Sequence, residues 1–450
     1  VRAALLALAV IAATGCGSDP DYLTVDELMD PDTCKDCHPK HYREWSGSMH
    51  AYAADDPVFL AMNQRGQEET DGALGDFCVG CHAPMAVEMG LTTDGLNLDE
   101  IEQKYKGVTC YFCHNVVEVQ DDHNNPLVLA MDDVMRGGIA DPVNAGHRTE
   151  LSPLHSSRSD ESSSMCGSCH DIVTPAGVHL ERTFQEWKDS VFNKPIDQGG
   201  LSCGNCHMPI TPGTAADVDG VPLRDVREHT FVGVDVAITD WPEKEAQLAG
   251  IARDLFGAVL PKLCVTPAGG GFSIEYNLDN VFAGHSIPSG AAQDRRMWVE
   301  LTALRGTDVI LETGVVAAGQ PVAEVAETDA NLWQIRDFNT DDSGDEAHMF
   351  WDVREVRSEL LPPGVTNDQS DPRFNHSVSR FFEISGEAPT RVEARVYIRP
   401  IGLDVLDDLI GSGHLDAAFR SEIPTMLLEG TELVWTEADG LGCVDRRGGR

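Results

Sequence analysis

Five times along the chain, two cysteines three positions apart are followed at once by a histidine. The sets are Cys34, Cys37 and His38; Cys78, Cys81 and His82; Cys110, Cys113 and His114; Cys166, Cys169 and His170; and Cys203, Cys206 and His207. Two cysteines at this spacing each form a thioether with a different vinyl group of one porphyrin, and the adjoining histidine reaches the iron from the same side. Cys-x-x-Cys-His is the attachment signal of a c-type haem. Zinc ribbons pair their knuckles without an obligatory adjoining histidine, and thioredoxin-like sites carry a single motif beside a βαβ unit. The pattern therefore predicts five covalently attached haem c groups. Successive motifs start 32 to 56 residues apart. So little protein separates them that the porphyrins are expected to crowd together, an arrangement suited to passing electrons while ligand, burial and nearby charge tune each potential.

At 450 residues the chain has room for two domains. Ten of its thirteen cysteines lie in the motifs, which leaves Cys16, Cys264 and Cys443. Haem attachment and spare cysteines both point outside the cytoplasm. Arg2 precedes an apolar run over 3–13, too short to span a bilayer. The run ends at Ala13-Thr14-Gly15-Cys16, the shape of a signal peptide with a lipobox over 1–16. An ordinary cleaved secretory peptide is the alternative. Acylation of Cys16 would hold the protein at a membrane surface, and Gly17 after it resembles lipoproteins sent to the outer membrane. The expected location is the cell envelope of a Gram-negative bacterium, facing the periplasm or on the outer membrane. A formal charge of −41 argues against nucleic acid as a ligand. It suits a basic redox partner protein, and solubility accounts for it equally well.

The pattern along the chain predicts a multidomain α+β protein. Residues 17–32 read as a polar tether. Residues 33–240 form a haem-rich domain of short helices and irregular chain, where Trp45, Tyr111, Phe112, Phe184 and Trp187 are candidates to pack on porphyrin faces. Residues 241–260 read as one amphipathic linker helix with Pro242 near its start. Beyond it the apolar period becomes two, over 272–278, 297–304, 308–313, 381–385 and 391–398. A β-sandwich-like domain over 261–450 is expected. Cys264 and Cys443 stand near its two ends, either as a disulfide staple or as two separate thiols. The acidic stretch 337–346 lacks the EF-hand spacing, and a solvated loop suits it better than a calcium site.

Eleven histidines lie outside the motifs, enough for a second histidine on every iron. Trp45-Ser-Gly-Ser-Met-His50-Ala51 after the first motif resembles multihaem cytochromes related to cytochrome c-554 and hydroxylamine oxidoreductase, and that resemblance nominates His50 as a distal ligand. His147 and His155, before Cys166-Gly-Ser-Cys169-His170-Asp171, resemble the H-x7-H segment of the same group. His229-Thr-Phe-Val-Gly233, after Cys206-His207-Met208-Pro209, resembles its H-x-F-x-G element. Gly284-His285-Ser-Ile-Pro288-Ser-Gly290 resembles the turn that opens its β-domain, which nominates His285. His179 is a reserve candidate. His41 follows His38 too closely to reach another iron, and His123, His348, His376 and His414 suit solvent or local bonding.

An electron-transfer protein is the first expectation. The resemblance also admits a reductase or oxidase of small nitrogen or sulfur compounds, which would need an iron with an open distal position. No residue pattern marks such a site. A third reading gives the β-domain a partner-binding role, which fold alone does not establish.

Overall fold

The computed structural model describes residues 22–446. The expected signal peptide, Cys16 and the first part of the tether lie outside the described residues. The rest of the expected tether is helical. Thr24 and Glu27 form a reciprocal capping box that starts a helix over Val25–Met29, and Asp30 caps a second over Pro31–Cys34. Leu28 and Met29 are buried with Phe59, Val79, Met85, Tyr111 and Phe112. Local caps, with Leu28 and Met29 buried and Leu23 and Val25 packed against them, make this stretch part of the first half's core and not a solvated tether.

Through residue 240 the chain runs in short helices joined by small two-stranded sheets. Each motif sits on or beside one helical turn, as over Val79–His82, Cys110–His114, Ser162–Gly167 and Cys203–His207. Proline occupies the first turn of Pro39–Ser46, Pro57–Glu69 and Pro84–Glu88, where its missing N–H costs nothing. The expected linker helix spans Lys244–Leu255, shorter than 241–260. It ends at Phe256, before Gly257 in a left-handed conformation. Among the described residues, no helix is long and apolar enough to cross a membrane.

The second half is built on two antiparallel sheets. Their strands are β1 (Val259–Ala268), β2 (Gly271–Asn280), β3 (Arg296–Arg305), β4 (Asp308–Thr313), β5 (Trp333–Ile335), β6 (Asp337–Thr340), β7 (Glu355–Ser358), β8 (Val378–Ser385), β9 (Arg391–Arg399), β10 (Met426–Leu427), β11 (Leu433–Thr436) and β12 (Gly442–Asp445). One sheet has the order β8-β2-β1-β12; the other has β4-β3-β9-β10, with β5 also on β3 and β11 on β9, while β6 and β7 form a separate hairpin. Alternate residues point inward, as period two demands. Leu263, Val265, Ile274, Tyr276 and Phe382 of the first sheet share one core with Met297, Val299, Leu301, Val396 and Trp435 of the second. Cys264 on β1 and Cys443 on β12 are directly opposite in register and disulfide-bonded.

The two halves are pressed together by apolar and charged contacts. Ala61 and Met62 of Pro57–Glu69 pack on Leu403, Val405, Leu406 and Leu409 of the helix Leu403–Gly411. Gly66 permits this approach, since a Cβ there would meet Leu74 Cδ2 at 2.5 Å and Trp351 Cζ3 at 2.7 Å. Arg295, at the start of the second sheet, donates from Nη1 and Nη2 to both carboxylate oxygens of Asp235 at 2.8 Å each. The mixed helix-and-sheet character is as expected.

Two outcomes follow for stability. The disulfide closes a loop between positions 179 apart, so Cys264→Ser should lower unfolding stability by about 2–5 kcal/mol in chemical denaturation. Glu181 is buried, and that burial pushes its pKa up to about 7 against the pull of Arg295. Stability from its protonated form is complete below the unfolded value near 4.5 and lost as pH rises through 7. Glu181→Gln should therefore raise the melting temperature at pH 8 and leave it nearly unchanged at pH 4.

Candidate haem sites

Four of the five motif histidines are held for coordination through one particular nitrogen. Nδ1–H of His38 donates to the carbonyl of Ala215 at 2.7 Å, that of His82 to Ala53 at 2.9 Å, that of His114 to Arg136 at 2.5 Å and that of His207 to Val232 at 2.8 Å. A carbonyl on Nδ1 fixes the tautomer and leaves the Nε2 lone pair for a metal. Burial also favours the neutral ring at His38, His82, His114 and His170. It lowers His114 and His170 to about 4, with nearby histidines adding to the effect, and it lowers His38 and His82 as well.

Four of these histidines face a second one. With a metal–imidazole bond of about 2 Å, two rings on opposite sides of one ion have centres about 6 Å apart. The separations are 6.0 Å for His38 and His147, 6.2 Å for His114 and His229, 6.2 Å for His170 and His50, and 6.2 Å for His207 and His285. His147, His229 and His285 carry the same Nδ1 anchor, donating to Arg148 at 3.0 Å, Arg227 at 3.2 Å and Ser286 at 2.9 Å. Burial drives His50 to about 3 and His285 to about 4 and puts His229 well below its usual range. These spacings and anchored rings fit a haem between each pair.

Local structure holds the facing residues in place. Ser48 caps the turn Met49–Tyr52 that carries His50, and the His50 carbonyl accepts from Val108 N–H at 2.8 Å. Gly107 has a positive φ of 69°, and a Cβ there would lie 2.6 Å from that same carbonyl, so only glycine fits. Glu44 accepts from the backbone N–H of His229 at 3.0 Å while Lys40 pairs with Glu44 at 2.7 Å. His41 lies edge-on to His229 at 4.7 Å. His285 is fixed by Asn280, whose Nδ2 donates to its carbonyl at 2.8 Å.

His155 is placed differently. Its ring centre is 5.7 Å from that of His114, but its Nε2–H donates to the carbonyl of Cys113 at 2.6 Å and its buried Nδ1 has no partner. It thus shares the neighbourhood of His114 with His229 and does not face His82. Among the described residues the aromatic neighbour of His82 is Phe59, stacked face to face at 4.0 Å and 5°. A ring on the flat face of an imidazole lies beside the coordination axis, not along it. The reserve candidate His179 is exposed and meets His123 at 6.4 Å. Sequence reasoning nominated the histidines but not their pairing, which joins positions far apart in the chain.

Motif cysteines also meet one another. Cys34 lies close enough to Cys110, Cys81 to Cys169, and Cys166 to Cys203 and Cys113, for their thiols to influence one another. These sulfurs stand where thioethers would form, so the attachment points of the first and third, second and fourth, and fourth and fifth motifs are neighbours.

Residues 33–115 match the family described as cytochrome c554 and c-prime. The crystal structure of a penta-heme cytochrome c552 from Thermochromatium tepidum shares the fold, with a TM-score of 0.60 at 19% identity over 92% of this chain and 99% of that one. No curated protein sequence matches. Fold and motif geometry together define a multihaem c-type cytochrome with covalently bound haem c. Within that class, residues 33–115 are similar to the family described as cytochrome c554 and c-prime.

Replacing His50, His147, His229 or His285 by alanine should each convert one low-spin iron signal to high-spin in electron paramagnetic resonance. His155→Ala should leave the low-spin count unchanged. The opposite result for His155 would reassign the partner of His114.

Proposed function

We propose that the protein is a five-haem electron carrier of the bacterial cell envelope. When bound, haem c supplies reversible one-electron exchange at its iron. The chain's own contribution is to fix the attachment points and to set the environment of each. The observation that carries this reading is the proximity of cysteines from different motifs. They lead from the first motif to the third and on towards the fourth, where the second and fifth both join. Neighbouring attachment sulfurs favour close porphyrins, and close porphyrins favour transfer over isolated chemistry.

Cys37 and Cys206 are the exposed motif cysteines. The first and fifth sites are therefore the places where partners would exchange electrons with the protein. A net charge of −41 favours basic redox partners and an encounter that weakens as salt rises. Acylation at Cys16 would set that exchange beside a membrane, in a haem-binding N-terminal domain followed by a sheet domain. Intact mass measurement and a reductive titration test the proposal together. Five haem additions and five reversible electrons per chain are expected, and fewer of either would overturn it.

A second reading rests on His82. It faces no histidine among the described residues, so the second site is the candidate for an open iron and for reaction with a small nitrogen or sulfur compound. Carbon monoxide added to the reduced protein separates the two. Binding near one equivalent per chain supports an open second site, and His82→Met should alter that fraction alone. Negligible binding would leave electron transfer as the whole function.

A further inference from the structure

Three of the four facing histidines, His147, His229 and His285, are oriented by a bond from Nδ1–H to a carbonyl. His50 is the exception. Its Nδ1 is buried and has no partner among the described residues. What stands against its ring is Phe231, with centres 4.5 Å apart and planes tilted by 52°. The same phenyl ring meets His229 edge to face at 5.7 Å and 85°. Phe231 thus lies between His50, which faces His170 of the fourth motif, and His229, which faces His114 of the third.

The backbone is unusual at this point. Phe231 has a φ of 46°, in the left-handed region. A Cβ makes that region costly for a bulky residue, and the conformation persists only where the surroundings fix it. Neighbours on both sides do so. The carbonyl of Thr230 accepts from Nε2 of the buried Gln247 at 3.1 Å. The carbonyl of Val232 accepts from Nδ1–H of His207 at 2.8 Å. Val232 is buried with Val236 and Ile251, and a Cβ on Gly250 would meet its Cγ2 at 2.7 Å. Gln247, Gly250 and Ile251 all belong to the helix Lys244–Leu255. That helix clamps the residues on either side of Phe231, and the turned backbone sets the ring between the two imidazoles.

We propose that Phe231 is a positioning residue shared by the third and fourth haem sites, fixing the ring orientation of His50 and bracing that of His229. The proposal rests on the reading that these two histidines are distal ligands. An imidazole whose Nδ1–H is bonded to a carbonyl resists rotation about its metal bond, because turning breaks the hydrogen bond. His50 lacks that restraint, and the flat ring packed against it takes its place. The orientation being held is also distinct. The planes of His50 and His170 are 49° apart, against 22° for His114 and His229 and 18° for His207 and His285. The angle between two axial imidazole planes governs the low-spin signal of a ferric haem, so a change in this packing has a direct readout.

Electron paramagnetic resonance of the intact holoprotein supplies the test. His50→Ala and His229→Ala identify the two signals by their loss. Glycine adopts left-handed backbone without cost, so Phe231→Gly removes the ring and leaves the fold in place. It should shift and broaden the His50 signal. The His229 signal should change less, since that ring keeps its bond to Arg227, and the signals of the other two pairs should stay as they were. Phe231→Tyr, which retains an aromatic ring, should restore the wild-type position. An unchanged His50 signal in Phe231→Gly would overturn the proposal. Equal changes at all four pairs would overturn it too, because they would mean general loosening. If His50→Ala removes no low-spin signal, the ligation reading fails and the proposal falls with it; if it removes one while Phe231→Gly is silent, the proposal alone fails.

Discussion

An imidazole whose Nδ1–H is spent on a backbone carbonyl has one thing left to offer: the lone pair on Nε2. Much of this protein is arranged to produce that state repeatedly. The carbonyls of Ala215, Ala53, Arg136 and Val232 each orient a motif histidine, and those of Arg148, Arg227 and Ser286 do the same for facing ones. The short helices, tight turns and small sheets of the first half exist to bring those carbonyls to those rings. An extended apolar core would leave no space for porphyrins between them.

The Cys-x-x-Cys-His motifs are legible in the sequence because all their information is local: five adjacent residues define each one. The strands of the second half were legible for a related reason, since alternation of inward residues such as Ile274, Tyr276 and Leu278 is visible in any stretch of a few residues. Pairing is another matter. His50 faces His170 and His207 faces His285, and nothing in the neighbourhood of one histidine names its partner. Resemblance nominated His155 and His229 alike, and only the direction of their hydrogen bonds distinguishes them. The helix at Val25–Met29 was missed because its stability comes from a capping box and two buried residues, too little pattern to rise above a polar background.

The seam between the halves gathers a large share of the molecule's buried charge. Glu181, Glu186, Asp235 and Arg295 all lie there, near helices and turns that hold the fourth and fifth motifs or their facing histidines. A low-dielectric seam amplifies each of these charges. The sheet domain is therefore part of the electrostatic environment in which the haem potentials are set. The disulfide between Cys264 and Cys443, at opposite ends of that domain, secures the shape of the surface it presents.

His285 belongs to the chain's second half yet faces His207 in the first. Were both rings to ligate one iron, as proposed, the last site would stay incomplete until a segment made much later had folded and swung into place. Maturation would then have an intrinsic order: porphyrin could be joined to Cys203 and Cys206 early, but the iron there would gain its second protein ligand only when the downstream polypeptide arrived. A molecule truncated after the first half would then carry a full complement of pigment and still be flawed at its terminal relay, so colour alone would not certify a finished protein.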